Sequence, residues 1–293
     1  MVALVKRVAL VGGIHGGEFT GVFLVKKFQQ SPLIIQRDGI EAITLLANEK
    51  AIATGRRYID TDLNRTFNRQ DLANPQLNNY EQSLAKKIAR RIEQEKIDLI
   101  VDLHSTTANM GLTIILHDTH PYVLRLAAYL VEVNPEIKIL QYNQNKDAPY
   151  LRNLVELGLT IEVGAVANGL LDARLFQATE ELIHTILDYL EADSQGKPLS
   201  VPTSFTFYSV IRTVDYPRNQ NGEIQAMIHP QLQFQDYQPL NPGNPMFVTF
   251  NGEEIFYQGN ETVYPVFINE AAYYEKAIAM HFTQKQEWEA ASN

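Results

Sequence analysis

His15 and Glu18 stand three residues apart in GGIHGGEFTG, residues 12–21, directly after the apolar run RVALV. Imidazole nitrogen and carboxylate oxygen are both zinc ligands, and the surrounding glycines let the backbone turn tightly enough for the two to converge. His104 ends a second apolar run, IDLIVDLHSTT, and lies 86 positions after Glu18. A close pair plus one distant ligand leaves a position open for water or substrate, the arrangement of catalytic rather than structural zinc. Asp102 falls on the same side of that strand as His104 and is placed to orient its imidazole. Each feature also has a purely structural reading. Glu18 is favoured at a helix N-terminus, beside an incidental loop histidine, and Asp102 simply ends a strand.

The glycines invite comparison with a phosphate-binding loop, which fails on spacing. Positions 12, 13, 16, 17 and 21 do not give G-x-G-x-x-G, and Glu18-Phe19 stands where a P-loop carries Lys-Ser/Thr. An anionic side chain there repels phosphate. His117 and His120 in HDTHP are likewise three apart but lack a carboxylate partner. Glu162 sits near the end of the apolar run LTIEVG, where burial raises a carboxyl pKa toward the range of efficient acid-base catalysis. A salt-bridged strand-end glutamate is the alternative. Arg56, Arg57, Arg65 and Arg69 cluster in TGRRYIDTDLNRTFNR with Asn64 alongside, and Arg152 follows in APYLRNL. Arginine grips carboxylates through paired hydrogen bonds. Such a cluster in a chain of net charge −9 suggests an anionic substrate, with Asp60, Asp62 and Asp71 as competing partners for some of these arginines.

The elements that must position these groups follow from the hydrophobic pattern. RVALVG, AITLLAN, IDLIVDLH, LTIILHD and LTIEVG read as strands, and amphipathic stretches between them read as covering helices. That alternation predicts an α/β domain with a largely parallel sheet over residues 1–200. A polar stretch, EADSQGKPLSVP, then gives way to a tyrosine-, phenylalanine- and glycine-rich region, residues 201–293, read as a smaller, mainly-β domain. Asn251-Gly252 between two β runs predicts a type I′ hairpin. Composition is ordinary for a globular protein, 45% hydrophobic and 20% charged over 293 residues. With no cysteine, thiolate chemistry and disulfides are excluded, and the expected address is cytoplasmic. Lys6 and Arg7 interrupt the first apolar run, which argues against a signal peptide. No stretch reaches the roughly 18 apolar residues of a membrane span, and the acidic balance speaks against nucleic-acid or anionic-membrane partners.

Several blocks together resemble the aspartoacylase and succinylglutamate desuccinylase group of zinc-carboxypeptidase-like enzymes, nearly end to end. They are GGIHGGEFTGVFLVK, RRYIDTDLNRTF, DLHSTTANMG, IEVG, VDYPRNQNGEIQAMIHPQLQ, NPGNPMF and VYPVFINEAAYYEK. The resemblance implies one Zn2+ per subunit on His15, Glu18 and His104, with Glu162 as the general base that later protonates the leaving amine. It implies that Arg57 polarises the amide carbonyl. Asn64, Arg65 and Tyr273 would grip the α-carboxylate, Arg152 the side-chain carboxylate of an N-acyl aspartate, and Lys276 would assist. It also implies a homodimer or higher homo-oligomer, and a second domain that completes the substrate channel. The expected reaction is hydrolysis of N-acetyl-L-aspartate to L-aspartate and acetate. Alternatives are an aminoacylase for N-acetylated aromatic or cysteine-conjugate amino acids, or a non-catalytic anion-binding relative. Two departures touch the substrate pocket. A tyrosine that the family carries four residues before Arg152 is Ala148 here, with Tyr150 two residues on, and GAVANG after Glu162 lacks the prolines of animal members.

Overall fold

The structure is a computed structural model that describes residues 5–116, 120–142, 148–197 and 199–289. Strands β1 (Arg7–Gly12), β2 (Glu41–Leu46), β3 (Leu99–Ser105), β4 (Gly111–Leu116), β5 (Lys138–Gln141) and β6 (Leu157–Gly164) alternate with helices. The helices are α1 (Phe19–Gln30), α2 (Glu49–Thr54), α3 (Arg69–Ala73), α4 (Tyr80–Gln94), α5 (Pro121–Val133) and α6 (Ala173–Ser194). Parallel pairing joins β2 to β1, β1 to β3, β3 to β6 and β4 to β5, whereas β4 runs antiparallel to β6.

Odd-numbered residues of β3 explain which face is fully apolar. Leu99, Val101 and Leu103 join Leu159, Ile161 and Val163 of β6 against Leu24 and Phe28 of α1, Leu126 of α5 and Ile183 and Ile186 of α6. On the other face Ile100 packs under Ala85, Ile88 and Ile92 of α4, a helix started by a reciprocal capping box between Asn79 and Gln82. Asp102 and His104 share that second face with Ile100 but lie nearer the strand's C-terminal end, where open α/β sheets place their sites.

The sheet continues past residue 200. Strand β7 (Ser204–Val214) pairs in parallel with β5 through Leu140↔Tyr208 and Gln141↔Ser209. Strand β12 (Met280–Glu289) and β11 (Tyr264–Val266) extend it to nine strands in the order β11-β12-β7-β5-β4-β6-β3-β1-β2. Strands β8 (Ala226–Ile228), β9 (Pro245–Thr249) and β10 (Glu254–Phe256) form a separate antiparallel sheet. The β9–β10 turn differs from the expected type I′ hairpin. Gly252 alone has positive φ, at 88°, and the amide of Thr249 donates to the carbonyl of Glu253. Three residues therefore close the loop, with glycine at the single left-handed position, an alternative that also suits strand twist. Among the described residues no helix is long and apolar enough to cross a membrane.

The glycine-rich turn between β1 and α1 is dictated by close approach. A Cβ on Gly16 would lie 2.0 Å from the carbonyl carbon of Ala51, and one on Gly12 would lie 2.3 Å from the carbonyl oxygen of Gly21. At Gly17 the nearest atom would be 3.3 Å away. Backbone cannot yield as a side-chain tip can, so Gly16→Ala should lose about 1–3 kcal/mol in chemical denaturation, with Gly17→Ala losing clearly less.

Candidate active site

His15 lies in the β1–α1 turn, Glu18 immediately precedes α1, and His104 is the penultimate residue of β3. All three are buried, with ligand atoms within 4.8 Å of one another. Glu18 spans the imidazoles: Oε1 is 2.7 Å from His15 Nδ1, and Oε2 is 2.9 Å from His104 Nδ1. Each far nitrogen meets another carboxylate. His15 Nε2 is 2.9 Å from Asp62 Oδ1, and His104 Nε2 is 2.9 Å from Asp102 Oδ2. A carboxylate that accepts from Nε2–H fixes the ring and leaves the Nδ1 lone pair for a metal. The donor set thus fits a divalent ion, since two imidazoles and a carboxylate converge and both rings are braced from behind.

Electrostatics point the same way. Burial raises the Glu18 carboxyl pKa, but the two imidazoles outweigh it and hold the group far below the usual carboxylate range. Burial pushes His104 down, yet Asp102 and Glu18 raise it well above an ordinary histidine. The cluster therefore favours positive charge between its rings, and a metal must displace protons to enter.

Strand register places Glu162 beside this centre. It pairs with His104 across β3–β6 and with Thr113 across β4–β6. Its carboxylate makes no hydrogen bond with a described residue and lines the cavity. Burial pushes it up to about 8, helped by Glu18 and Glu270 and opposed by His104 and Arg57.

Arg57 donates from Nη1 to Glu18 Oε1 at 3.2 Å and from Nη2 to Asp62 Oδ2 at 3.4 Å. Its loop is pinned by Glu81, whose buried carboxylate accepts the amides of Ile59, Asp60 and Thr61 at 2.7, 2.9 and 3.1 Å. Asn64 Oδ1 accepts from the amide of Leu151 at 3.1 Å, and its Nδ2 lies 3.3 Å from His104 Nε2. Arg65 donates to the carbonyl of Asn64 at 2.9 Å. Arg152 is buried, donates from Nη1 to Thr160 Oγ1 at 3.1 Å, and has no partner at Nε. Lys276 Nζ reaches Asp62 Oδ2 at 3.0 Å, with the Tyr273 ring beside it. One cavity of about 410 Å³ is lined by all the metal-binding, catalytic and substrate-binding residues that the family resemblance implies. Arg56 and Arg69 stay outside it, exposed. His120 caps α5 by accepting from the amide of Tyr122 at 3.2 Å, and His117 lies outside the described residues.

Three residues of the site escaped sequence reasoning. Asp62 does pair with Arg57, as its position among arginines suggested, but its other oxygen braces His15. Glu270 fastens the turn that bears Tyr273 and Lys276 to the loop after β3. It accepts from the Thr106 hydroxyl, the Thr107 amide at 2.7 Å and the Thr107 hydroxyl at 2.9 Å. His281 lines the cavity with Nδ1 3.0 Å from Thr213 Oγ1, and burial lowers its imidazole to about 4. The last two have partners far away in the chain, so no local spacing could reveal them.

Comparison with known proteins agrees with this geometry. Residues 5–190 match the succinylglutamate desuccinylase/aspartoacylase catalytic domain, and residues 203–285 match the AstE/AspA barrel-sandwich hybrid domain. The chain is 55% identical over 285 residues to a probable aspartoacylase of Nostoc sp., covering 96% of this chain and 97% of that one. It is 38% identical over 290 residues to the human N-acyl-aromatic-L-amino acid amidohydrolase (carboxylate-forming), covering 96% and 91%. The crystal structure of murine aminoacylase 3 matches with a TM-score of 0.92 at 35% identity, covering 98% of both chains. Fold and site define a mixed α/β amide hydrolase with a buried cluster able to hold a metal. The chain belongs to the succinylglutamate desuccinylase/aspartoacylase family.

Asp102 offers a direct test of the bracing carboxylates, because among the described residues its side chain hydrogen-bonds only His104. Asp102→Asn should weaken divalent-metal binding about 10- to 100-fold, read as the chelator concentration that removes half the metal.

Proposed function

We propose that the protein hydrolyses N-acetyl-L-aspartate, or a close N-acyl-L-aspartate, to L-aspartate and the carboxylate, with one Zn2+ per subunit on His15, Glu18 and His104. The observation that carries the aspartate assignment is Arg152. Its guanidinium is buried, its Nε has no partner, and no carboxylate of a described residue pairs with it. A buried guanidinium in contact with no carboxylate of a described residue, and attracted only at a distance by Asp102, is costly, and a substrate side-chain carboxylate would supply a contacting charge. Relatives named as a probable aspartoacylase and as an N-acyl-aromatic-L-amino acid amidohydrolase are both similar over nearly the whole chain, so the likeness alone does not choose between them.

Held by His15, Glu18 and His104, zinc would supply Lewis acidity for activating a water and polarising an amide carbonyl. Glu162, with no hydrogen bond to a described residue and lining the cavity, takes the proton of the attacking water and later passes it to the leaving amine nitrogen. Burial raises its carboxyl above the usual range, which favours its holding the proton until the leaving nitrogen takes it. Arg57 faces the carbonyl oxygen and stabilises the oxyanion that forms there. Arg65, Asn64 and Tyr273 hold the α-carboxylate, Arg152 holds the side-chain carboxylate, and Lys276 adds positive charge at the mouth. Residues 1–200 act as the catalytic domain, and 201–293 complete the channel through Tyr273 and Lys276. We place the enzyme in the cytoplasm as a homodimer or higher homo-oligomer, a reading supported by the absence of cysteine and by the family likeness.

Two variants separate the roles. Glu162→Gln should retain zinc while kcat falls about 10²- to 10⁴-fold; near-normal turnover would remove the base assignment. Arg152→Met should lower kcat/KM for N-acetylaspartate about 10- to 100-fold and leave N-acetyltyrosine much less affected. Equal losses on both substrates would count against the side-chain carboxylate role.

A further inference from the structure

We propose that Tyr150 sets the preference for an acidic substrate side chain by holding the guanidiniums of Arg152 and Arg65 on one aromatic ring. The inference rests on reading the cavity as an N-acyl-aspartate site. The guanidinium carbon of Arg152 lies 4.4 Å from the Tyr150 ring centroid, and that of Arg65 lies 4.8 Å from it. Neither arginine pairs with a carboxylate of a described residue. Two like charges gathered this closely repel each other, and something must hold them without neutralising them.

An aromatic ring is suited to that task. A carboxylate partner would occupy the N–H edge of a guanidinium, the edge that grips a substrate carboxylate. A π face attracts the cation through its planar surface and leaves that edge free. The ring is itself well placed. The Tyr150 amide donates to the carbonyl of Ala148 at 2.9 Å, and its own carbonyl accepts from the amide of Asn153 at 3.0 Å. Tyr150 also opens the turn Leu151–Leu154 that carries Arg152. Two further bonds lace this turn to the segment bearing Arg65: Phe67 amide to Pro149 carbonyl at 3.3 Å, and Leu151 amide to Asn64 Oδ1 at 3.1 Å. Among the described residues each arginine has one further hydrogen bond, Arg152 to the Thr160 hydroxyl and Arg65 to the Asn64 carbonyl, so the ring is a main restraint on both. Tyr150 is thus a positioning residue that acts through the arginines.

The test uses zinc-loaded full-length enzyme and two substrates, N-acetyl-L-aspartate and N-acetyl-L-alanine, which differ in the side-chain carboxylate. Tyr150→Leu removes the π face and keeps bulk; Tyr150→Phe keeps the ring and removes the hydroxyl. The expected result is a fall of about tenfold in the aspartate-to-alanine ratio of kcat/KM for Tyr150→Leu. That fall should be carried by KM, with kcat and zinc content near wild type, and Tyr150→Phe should retain the ratio. Equal losses on both substrates, a loss confined to kcat, or a Tyr150→Phe variant as impaired as Tyr150→Leu would each overturn the ring's role. A wild-type enzyme that does not prefer the aspartate substrate would instead remove the N-acyl-aspartate reading itself, and that outcome is visible before any variant is made.

Discussion

Everything in the site depends on the carboxylate of Glu18 standing between two imidazoles out of reach of bulk water. Residues 86 positions apart must meet within 2.9 Å, and each group there would be costly without its neighbour. The result is a chain of alternating partners, Asp62–His15–Glu18–His104–Asp102, in which every imidazole has a carboxylate on both sides. Truncating one member leaves an uncompensated buried group, so the chain is specified as a unit. It also fixes ring orientation before any ion arrives, which is the preorganisation a catalytic centre requires.

That chain can form only because backbone segments approach closely at two levels. Beneath His15, the glycine turn lets residues 12–21 lie on Ala51 and the start of α1 without Cβ atoms between them. Across the cavity, Glu270 binds the Tyr273–Lys276 turn to residues 106–108 just after β3, so the distal region reports directly on the position of His104's strand. Sheet continuity from β5 into β7 supports the same alignment, because the two halves share hydrogen-bonded strands as well as an interface. Lys276 then closes the loop by returning to Asp62, the carboxylate behind His15.

Much of this was legible in the sequence, for identifiable reasons. Apolar runs ending in His104 and Glu162 mark strand ends, and strand ends in such sheets carry chemistry; their direct pairing in register followed from two strands that read correctly. The H-x-x-E spacing with glycines pointed to the pair that, with His104, forms the cluster able to hold a metal. The brace on His15 was harder, since Asp62 has two oxygens and the sequence suggests only one use. Glu270 and His281 were illegible because their roles exist only once the distal region folds back over the cavity. The type I′ expectation at Asn251-Gly252 failed because the dipeptide is compatible with more than one loop length, and pairing of the flanking strands makes the choice.

The charges of the cavity are divided, and the division dictates how a substrate must lie. Glu18, Asp62 and Asp102 gather around His15 and His104, with Glu162 beside them, whereas Arg65 and Arg152 stand on the side of Tyr150, where no carboxylate of a described residue occupies their N–H edges. Arg57 and Lys276 sit at the boundary, tied to Asp62. A ligand with carboxylates at one end and a neutral acyl group at the other is repelled in the reverse orientation and attracted in one. Its amide then falls at the boundary, beside Glu162 and Arg57. On the proposed reaction, the carboxylate released by hydrolysis forms on the side of His15, Glu18 and His104, while the amino acid stays on the side of Arg65 and Arg152.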